Sequence, residues 1–336
     1  MNKISKLGVS ALCGSLAAIS AANAGDLVAT GGADLTYMSN DDATTGNPIG
    51  MASAVSFTGT GELDNGWGVK LSIALADGGG YSNTYVNITV PGLGDVRIDQ
   101  GVSGTGIQRL DDITPTVWEE ADGAGLSATI NKIMGTSAGT TVEITPEGLP
   151  DGLTARIALS KDSDSGQAND KVASGASGEL ASGFDVTLEA SSDILGFEGL
   201  SLYAGLAEVE QYQNNADTNG DVEETVYGFK YAAGGFTVGY QVTDEETGKT
   251  TTTGYENTSY GITFNVNDDL SIGYNHTESD ESGQGKATAE ADSLQAAYTM
   301  GGATIRIAEV DVDNQAYATA SSADLSATVL SLGLAF

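Results

Sequence analysis

A period-two alternation of apolar with polar or small residues recurs along most of this chain and limits the fold more than any other feature. In residues 67–76, Leu71 and Ile73 fall on one face of an extended strand, whereas Lys70 and Ser72 fall on the other. Residues 153–159, 227–231 and 303–308 repeat the pattern. Such alternation is typical of β-strands whose two faces meet different surroundings. The sequence therefore predicts an all-β fold.

The connections between these strands alternate in length. Short turns rich in Gly, Asn and Asp suit tight hairpins, and longer polar segments separate one hairpin from the next. This layout is typical of a transmembrane antiparallel β-barrel with short periplasmic turns and long acidic external loops. The short turns are 64–66, 234–235, 267–269 and 301–302, and the long connections are 40–50, 162–171, 211–221, 244–253, 278–288 and 313–322.

The number of strands is less sharply defined. Closed single-chain barrels have even strand numbers, and each strand needs about 10 residues to cross the membrane. We therefore predict a barrel of 16 strands and keep 18 as the alternative, because eighteen candidate strands can be marked. They start at Asp26, Met51, Trp67, Ser82, Gly94, Gly125, Thr140, Leu153, Val172, Phe184, Leu200, Val222, Gly235, Tyr255, Leu270, Ala289, Ala303 and Asp324.

The N-terminal segment predicts export. Lys3 and Lys6 precede an apolar stretch, and residues 22–24 form a small-residue cleavage site, so residues 1–24 are interpreted as a signal peptide and residues 25–336 as a single barrel domain. Cys13 allows a lipoprotein anchor, but the residue before it is Leu12 where such signals need a small one. Cys13 is the only cysteine, so the exported chain would have neither disulfides nor thiolate chemistry.

The formal charge of −33 argues against nucleic acid as a partner. Acidic residues concentrate in the long polar connections, which predicts an anionic rim and a preference for cations. One connection places Asp217, Asn219, Asp221 and Glu223 at every second residue, a weak candidate for Ca²⁺, but it lacks the glycine and distal glutamate of an EF-hand loop. A solvated acidic loop is the preferred interpretation, and no cofactor is expected.

The last strand carries the sharpest single signal. Leu330, Leu332, Leu334 and the terminal Phe336 share one face. This resembles the C-terminal strand that the barrel assembly machinery of Gram-negative outer membranes recognises. Together with the layout of strands, it gives the whole exported chain a resemblance to the general diffusion porins. The resemblance implies an outer-membrane channel, usually a homotrimer, through which small hydrophilic solutes and ions pass without catalysis or an energy source.

The resemblance also implies a loop that folds into the barrel and narrows it. The longest connection with little strand pattern lies near residues 102–124, after the fifth strand. A carboxylate-bearing loop opposite a basic wall would create a transverse field. The Pro-Glu-Phe-Gly-Gly motif of enterobacterial porins is absent there, so the subfamily is left open. The acidic candidates are Asp111, Asp112, Glu119 and Glu120, and the basic candidates, all on the non-apolar face of a strand, are Lys70, Arg97, Arg156, Lys230 and Arg306.

The opposite strand faces should contact lipid. Aromatic residues there are expected to form interfacial girdles. The only histidine, His276, continues the apolar face of its strand, so a Ser–His catalytic pair in the lumen is not expected. The girdle candidates are Tyr37, Tyr203, Tyr227, Tyr231, Tyr240, Tyr274 and Phe336.

Two alternatives stay open at this point. The first keeps the barrel but makes it specific for one substrate, which would require a ladder of aromatic or charged side chains along the lumen. The second is a secreted, acidic, all-β surface or adhesin protein.

Overall fold

The chain folds into one closed β-barrel. The computed structural model describes residues 25–40, 46–101, 104–164, 179–212, 217–218, 220–283 and 285–335. The strands are β1 (Leu27–Asn40), β2 (Ile49–Glu62), β3 (Gly68–Leu75), β4 (Tyr81–Val90), β5 (Gly94–Asp99), β6 (Thr141–Pro146), β7 (Leu153–Ser160), β8 (Leu180–Ala190), β9 (Leu200–Gln211), β10 (Val222–Ala233), β11 (Phe236–Glu246), β12 (Gly254–Asn265), β13 (Leu270–Glu281), β14 (Ala289–Met300), β15 (Ala303–Asp313) and β16 (Leu325–Ala335).

Helical structure in the described residues is confined to short turns. One α-helix, α1 (Ser192–Leu195), follows β8, and 3₁₀ turns cover Asp77–Gly79, Gly106–Leu110, Gln315–Tyr317 and Ser321–Ala323. Within the described ranges, no helix has the length and apolarity required to cross a membrane.

Every strand pairs antiparallel with its neighbours in sequence, and β1 pairs with β16 to close the ring. In the closing pair Leu35 faces Leu332 and Tyr37 faces Leu330. A closed ring leaves no sheet edge with unpaired backbone groups. The prediction of 16 strands is confirmed.

Sixteen of the eighteen candidate strands coincide with strands of the barrel. The candidate beginning at Gly125 is wrong, because residues 100–140 form one connection between β5 and β6. Its alternating pattern comes from residues that pack against the inner wall of the barrel. The candidate at Val172 lies outside the described residues. The candidates that begin at Thr140 and Phe184 correspond to β6 and β8.

The alternation of side chains matches the two faces of the wall. Ile305 and Ile307 are exposed on the outside, whereas Arg306 lies between them on the inside. Tyr37, Tyr227, Tyr231, Tyr240 and Tyr274 lie on the outer face with them. Tyr203 was expected there too, and that prediction is wrong. Its side chain points inward, is 5% exposed and donates a hydrogen bond to Gln241. His276 lies on the outer face, as predicted, stacked on Tyr260.

The two ends of the barrel differ as the sequence indicates. At one end, short turns connect neighbouring strands, including residues 234–235, 266–269 and 301–302. The other end carries the long connections, of which residues 100–140 form the longest, and we call that segment the inner loop. The short turns are tight hairpin turns, in which Gly66, Gly234 and Gly301 adopt the positive φ that such turns require.

Acidic residues also line the outer face of β9–β15, a placement that the sequence reasoning missed because it assigned the acidic surplus to the loops. They lie toward the long-loop end, above the apolar outer residues of the same strands. We call this surface the acidic belt. It comprises Glu208, Glu210, Glu223, Asp244, Glu246, Glu256, Glu278, Asp280, Glu290, Asp292, Glu309, Asp311 and Asp313.

Candidate functional site: the inner loop and the lumen wall

The inner loop lies inside the barrel, held by carboxylates that project inward from the wall. Glu143 of β6 accepts a hydrogen bond from the backbone N–H of Gly106 at 2.8 Å and pairs with Arg109 at 2.5 Å. Asp185 of β8, which is fully buried, accepts from the N–H groups of Ile107 and Thr136. Charge-assisted hydrogen bonds of this kind are about twice as strong as neutral ones. The loop is therefore tied to the wall at both its outgoing and its returning arm.

Glu224 of β10 continues the same pattern on the returning arm. Its carboxylate accepts from the N–H of Met134 at 3.1 Å and of Gly135 at 2.7 Å. Buried carboxylates are costly unless each is paired or hydrogen-bonded. The loop backbone supplies those donors, so loop and wall depend on each other.

Amide side chains extend these attachments round the wall. Gln295 of β14 accepts from the N–H of Trp118 at 2.8 Å and donates to the carbonyl of Glu119 at 2.6 Å. Asn275 of β13 accepts from the N–H of Ala121 at 2.8 Å. Further contacts join Gln241 to the carbonyl of Asp111 and Asn257 to the carbonyl of Asn131.

Two apolar clusters fill the space between loop and wall. Ile107, Leu110 and Ile133 pack with Tyr203 and other residues of β9 and β10. Further round, small loop alanines pack on the inner face of β14 and β15. The loop members of this second cluster are Ala121, Ala124 and Ala128, and the wall members include Ala291, Val310 and Val312. Burial of Tyr203 and of these valines follows from the loop, which turns part of the lumen face into a core.

The loop contacts observed in the described residues therefore run along the wall from β6 to β16, where Gly125 approaches Val329. The inner loop extends over residues 100–140, which is longer than the predicted range of 102–124. Val102 and Ser103 of this loop lie outside the described residues. Its returning arm contains the segment from Gly125 for which alternation predicts a strand.

Three of the four acidic loop candidates lie in one cleft with a lysine. Lys132 pairs with Asp112 at 2.9 Å and lies 3.8 Å from Asp122. Asp111, Asp112, Glu120, Asp122 and Lys132 line a small cleft between the loop and the inner faces of β11–β13. Glu119 does not line this cleft, and its carboxylate interacts electrostatically with Arg306 as well as with Asp112 and Lys132.

This crowding changes the ionisation of the loop. Burial, reinforced by the charge of Asp112, raises the pKa of Asp111 to about 8. The same causes raise the pKa of Glu120 to about 7. The neighbouring carboxylates outweigh burial at Lys132 and raise its pKa. Burial also raises the pKa of Glu119, with Arg306 acting in the opposite direction. Removal from water and like charges both disfavour a carboxylate.

The predicted basic residues all project into the lumen, but not as one group. Arg97 of β5 pairs with Asp99 at 2.7 Å, and its guanidinium lies 3.9 Å from the ring centre of Tyr85. Lys70 of β3 lies 5.6 Å from the same ring. We call the wall formed by β3–β5 the uncovered wall, because the carboxylates that anchor the inner loop begin with Glu143 of β6.

The other three basic candidates lie on strands beneath or beside the loop. Arg156 of β7 pairs with Glu189, and Lys230 of β10 lies inward between Ser201 and Gly239. Arg306 of β15 pairs with Asp34 of β1 at 2.7 Å and lies 5.8 Å from the ring centre of Trp118. The basic candidates are therefore spread round the wall, and the charge of Arg306 is the one among them that acts on Glu119 of the loop.

The sequence reasoning did not select the residues that hold the loop. Glu143, Asp185 and Glu224 are the main ones, with Arg109 and Lys132 on the loop itself. Their signal was available, because each of the three wall carboxylates falls at an inward position of the alternation. What was missing was the knowledge that the loop would supply backbone donors.

The remaining candidates have these positions. Leu330, Leu332 and Leu334 lie on the outer face of β16, and Phe336 lies outside the described residues. Asp217 accepts hydrogen bonds from the hydroxyls of Thr250 and Thr251, and Asn219 is not described. Among the described residues, no group of three or more His, Cys, Asp and Glu side chains is placed to hold a metal ion.

A closed barrel with a polar lumen and a loop folded into it defines a channel of the outer-membrane type. Residues 8–329 match the Gram-negative porin family, so the chain belongs to that family, which resides in the outer membrane and forms diffusion channels without enzymatic activity. This confirms the resemblance found in the sequence and excludes the secreted surface protein. No curated protein matches the chain.

Solved porin structures share the fold. Salmonella typhi OmpF, in complex with daunomycin, is 13% identical with a TM-score of 0.71, covering 93% of this chain and 98% of its own. A loop-deletion mutant of Vibrio cholerae OmpT is 14% identical with a TM-score of 0.63, covering 93% and 100%. An anion-selective porin from Comamonas acidovorans is 13% identical with a TM-score of 0.62, covering 93% and 100%. The shared fold therefore does not determine whether a channel prefers cations or anions.

Proposed function

We propose that this outer-membrane channel passes small hydrophilic solutes by diffusion and prefers cations. The observation that carries the proposal is the inner loop, which places Asp112 and Glu119 on its exposed surface inside the barrel. A carboxylate in a narrow, low-dielectric passage raises the local concentration of cations. The formal charge of −33, with 13 Lys and Arg against 46 Asp and Glu, supports the same sign.

The uncovered wall completes the constriction in this proposal. Lys70 and Arg97 would face the passage from β3 and β5, and their charge would be partly offset by Asp99. Arg156 and Lys230 would contribute less, because they lie on the strands that the loop follows. A transverse field between loop and uncovered wall would orient polar solutes.

Assembly and orientation belong to the same proposal. We propose that the long-loop end faces outward and that subunits associate as trimers, as the family resemblance implies. We place the subunit contact on the outer face of β1–β7. The side chains that point outward on these strands are uncharged, in contrast to those of the acidic belt. The barrel assembly machinery would recognise Leu330, Leu332, Leu334 and Phe336.

The test is the reversal potential of the detergent-purified mature protein in a planar bilayer under a KCl gradient. We expect stable conductance steps with cation preference. The variant D112N/E119Q should reduce that preference, whereas E290Q/E309Q, which removes the same charge from the outer face, should not. Anion preference of the native channel would refute the proposal, and equal effects of the two variants would refute the role of the loop.

A further inference from the structure

An ion pair in the lumen lies beside a cavity of suitable size for a small solute. Arg306 of β15 and Asp34 of β1 bridge across the intervening β16, with Nη1 and Oδ1 2.7 Å apart. The bridge is possible because Gly333 lies between them. A Cβ atom at Gly333 would be 2.8 Å from Oδ1 of Asp34 and 2.9 Å from Nη1 of Arg306.

The pair is open toward the lumen. The side chains of Arg306 and Asp34 are 23% and 43% exposed. Both line a cavity of about 420 Å³ whose other walls are mainly small residues, including Gly32, Ala52 and Ala54. One further carboxylate, Asp77, lines the same cavity, and its Oδ1 accepts hydrogen bonds from Ser53. Pockets for small molecules span about 300–1,000 Å³. The cavity therefore has room for a solute the size of an amino acid.

Each member of the pair keeps binding capacity. Hydrogen bonds in the described residues use Oδ1 of Asp34, which accepts from Arg306 and from Ser331, and Nη1 of Arg306. The second oxygen of Asp34 and the Nη2 and Nε groups of Arg306 remain for a ligand. A guanidinium recognises a planar carboxylate through two parallel donors. A carboxylate beside it suits an ammonium group.

From this geometry we propose that the cavity at Arg306 and Asp34 is a subsite for zwitterionic solutes, free α-amino acids in particular. The α-carboxylate binds Arg306, and the adjacent α-ammonium binds Asp34. A singly charged solute satisfies one partner and is opposed by the other, so the pair selects solutes that carry both charges close together. The subsite deepens the proposed function, on which it rests, because it lies in the same lumen.

Two other charged groups in the described part of the lumen lack these features. The carboxylates round Lys132 already enclose that ammonium. Arg97 is covered by the ring of Tyr85 as well as paired with Asp99. The ring of Trp118, whose centre is 5.8 Å from the guanidinium of Arg306, adds a cation–π contact that favours one orientation of that group.

The experiment measures ion current through the native channel in a planar bilayer while glycine is added. We expect current reduction that saturates with glycine, but only weak, non-saturating reduction with acetate, methylammonium or glycerol. The variants R306Q and D34N should weaken glycine binding about tenfold or more, because each removes a charge-assisted contact. R306K keeps the charge but not the paired donors and should fall between native and R306Q. K249Q, which removes a lysine at the rim, is the matched control.

The outcomes separate this inference from the proposed function. Conductance steps without saturation by glycine would overturn the subsite and leave the diffusion channel intact. Saturation by acetate equal to that by glycine would also overturn it, since the site would then be a simple anion site. An absence of steps in the native protein would refute the proposed function itself. Conductance steps from R306Q and D34N show that each variant has folded, so a loss of glycine binding is then assigned to the site.

Discussion

Single carboxylates decide whether the inner loop stays in place. Asp185 is fully buried and accepts bonds from both arms of the loop. An unsatisfied buried donor costs about 1–3 kcal/mol. We therefore expect D185A to lower the free energy of unfolding by at least about 2 kcal/mol and to increase open-channel current noise, as the loop moves.

D185N keeps one acceptor and should have a smaller effect on both measurements. The matched control is D95A, which removes another inward carboxylate, one whose observed partner is Thr89 of the neighbouring strand rather than the loop. The assignment of Asp185 as a loop anchor fails if D95A and D185A raise the current noise equally.

Ionisation of the loop gives the channel a pH dependence. A carboxyl is neutral below its pKa and negative above it. The pKa values of Asp111 and Glu120, raised to about 8 and about 7, therefore place their ionisation between pH 6 and pH 9. Cation preference should increase as pH rises through this range, as measured by reversal potential at pH 6, 7.5 and 9. In D111N/E120Q the preference should change much less over the same range, and an equal slope would contradict the assignment.

At the scale of elements, the inner loop depends on glycines in the wall as well as on polar anchors. The loop passes β12 so closely that a Cβ atom at Gly261 would lie 2.1 Å from the carbonyl oxygen of Pro115. A side chain there meets backbone, which cannot rotate away. Pro115 also approaches β11, where a Cβ atom at Gly239 would lie 2.5 Å from Cδ of Pro115. The path of the loop is set by where the wall has no side chain.

The substitution G261A should therefore displace the loop. Overpacking of this kind costs about 1–3 kcal/mol, so the temperature at which the barrel unfolds in a heat-shift gel assay should fall, and mean conductance should change. G80A is the control, because a Cβ atom at that position meets nothing within 4 Å. Native conductance and heat stability in G261A would show that the loop does not pass so close to β12.

The sequence predicted the strands well because their signal is local. Alternation in β3, β7 and β15 fixes which side chains face the lumen, and glycine-containing turns fix the hairpins. It predicted the loop poorly because the loop has no period of its own. The strand-like pattern from Gly125 and the inward placement of Tyr203 arise from contacts between residues far apart in sequence, which alternation cannot reveal. The inward carboxylates Glu143, Asp185 and Glu224 were visible, but their partners were not.

At the scale of the whole molecule, charge on the outer face is unevenly distributed. Glu223 lies directly opposite Glu208 on one side and Glu246 on the other. Glu290 lies opposite Glu278 and Asp313 in the same way. Like charges directly opposite each other in a sheet are destabilising. The acidic belt also limits how far lipid can cover β9–β15, since charge on a lipid-facing surface is costly.

This arrangement predicts that salt stabilises the barrel. Directly opposed side chains are about 4.5–5.5 Å apart at Cβ, and the screening length falls from about 30 Å at 0.01 M to about 3 Å at 1 M salt. The unfolding temperature should therefore rise between 0.01 and 1 M KCl. E223Q, which removes two like-charge contacts of about 0.2–1 kcal/mol each, should raise the unfolding temperature at low salt and flatten its salt dependence. E62Q changes an inward carboxylate at the short-turn end and should leave the slope unaltered. A native protein whose unfolding temperature falls with salt would show that attraction between opposite charges, rather than the acidic belt, dominates its electrostatics.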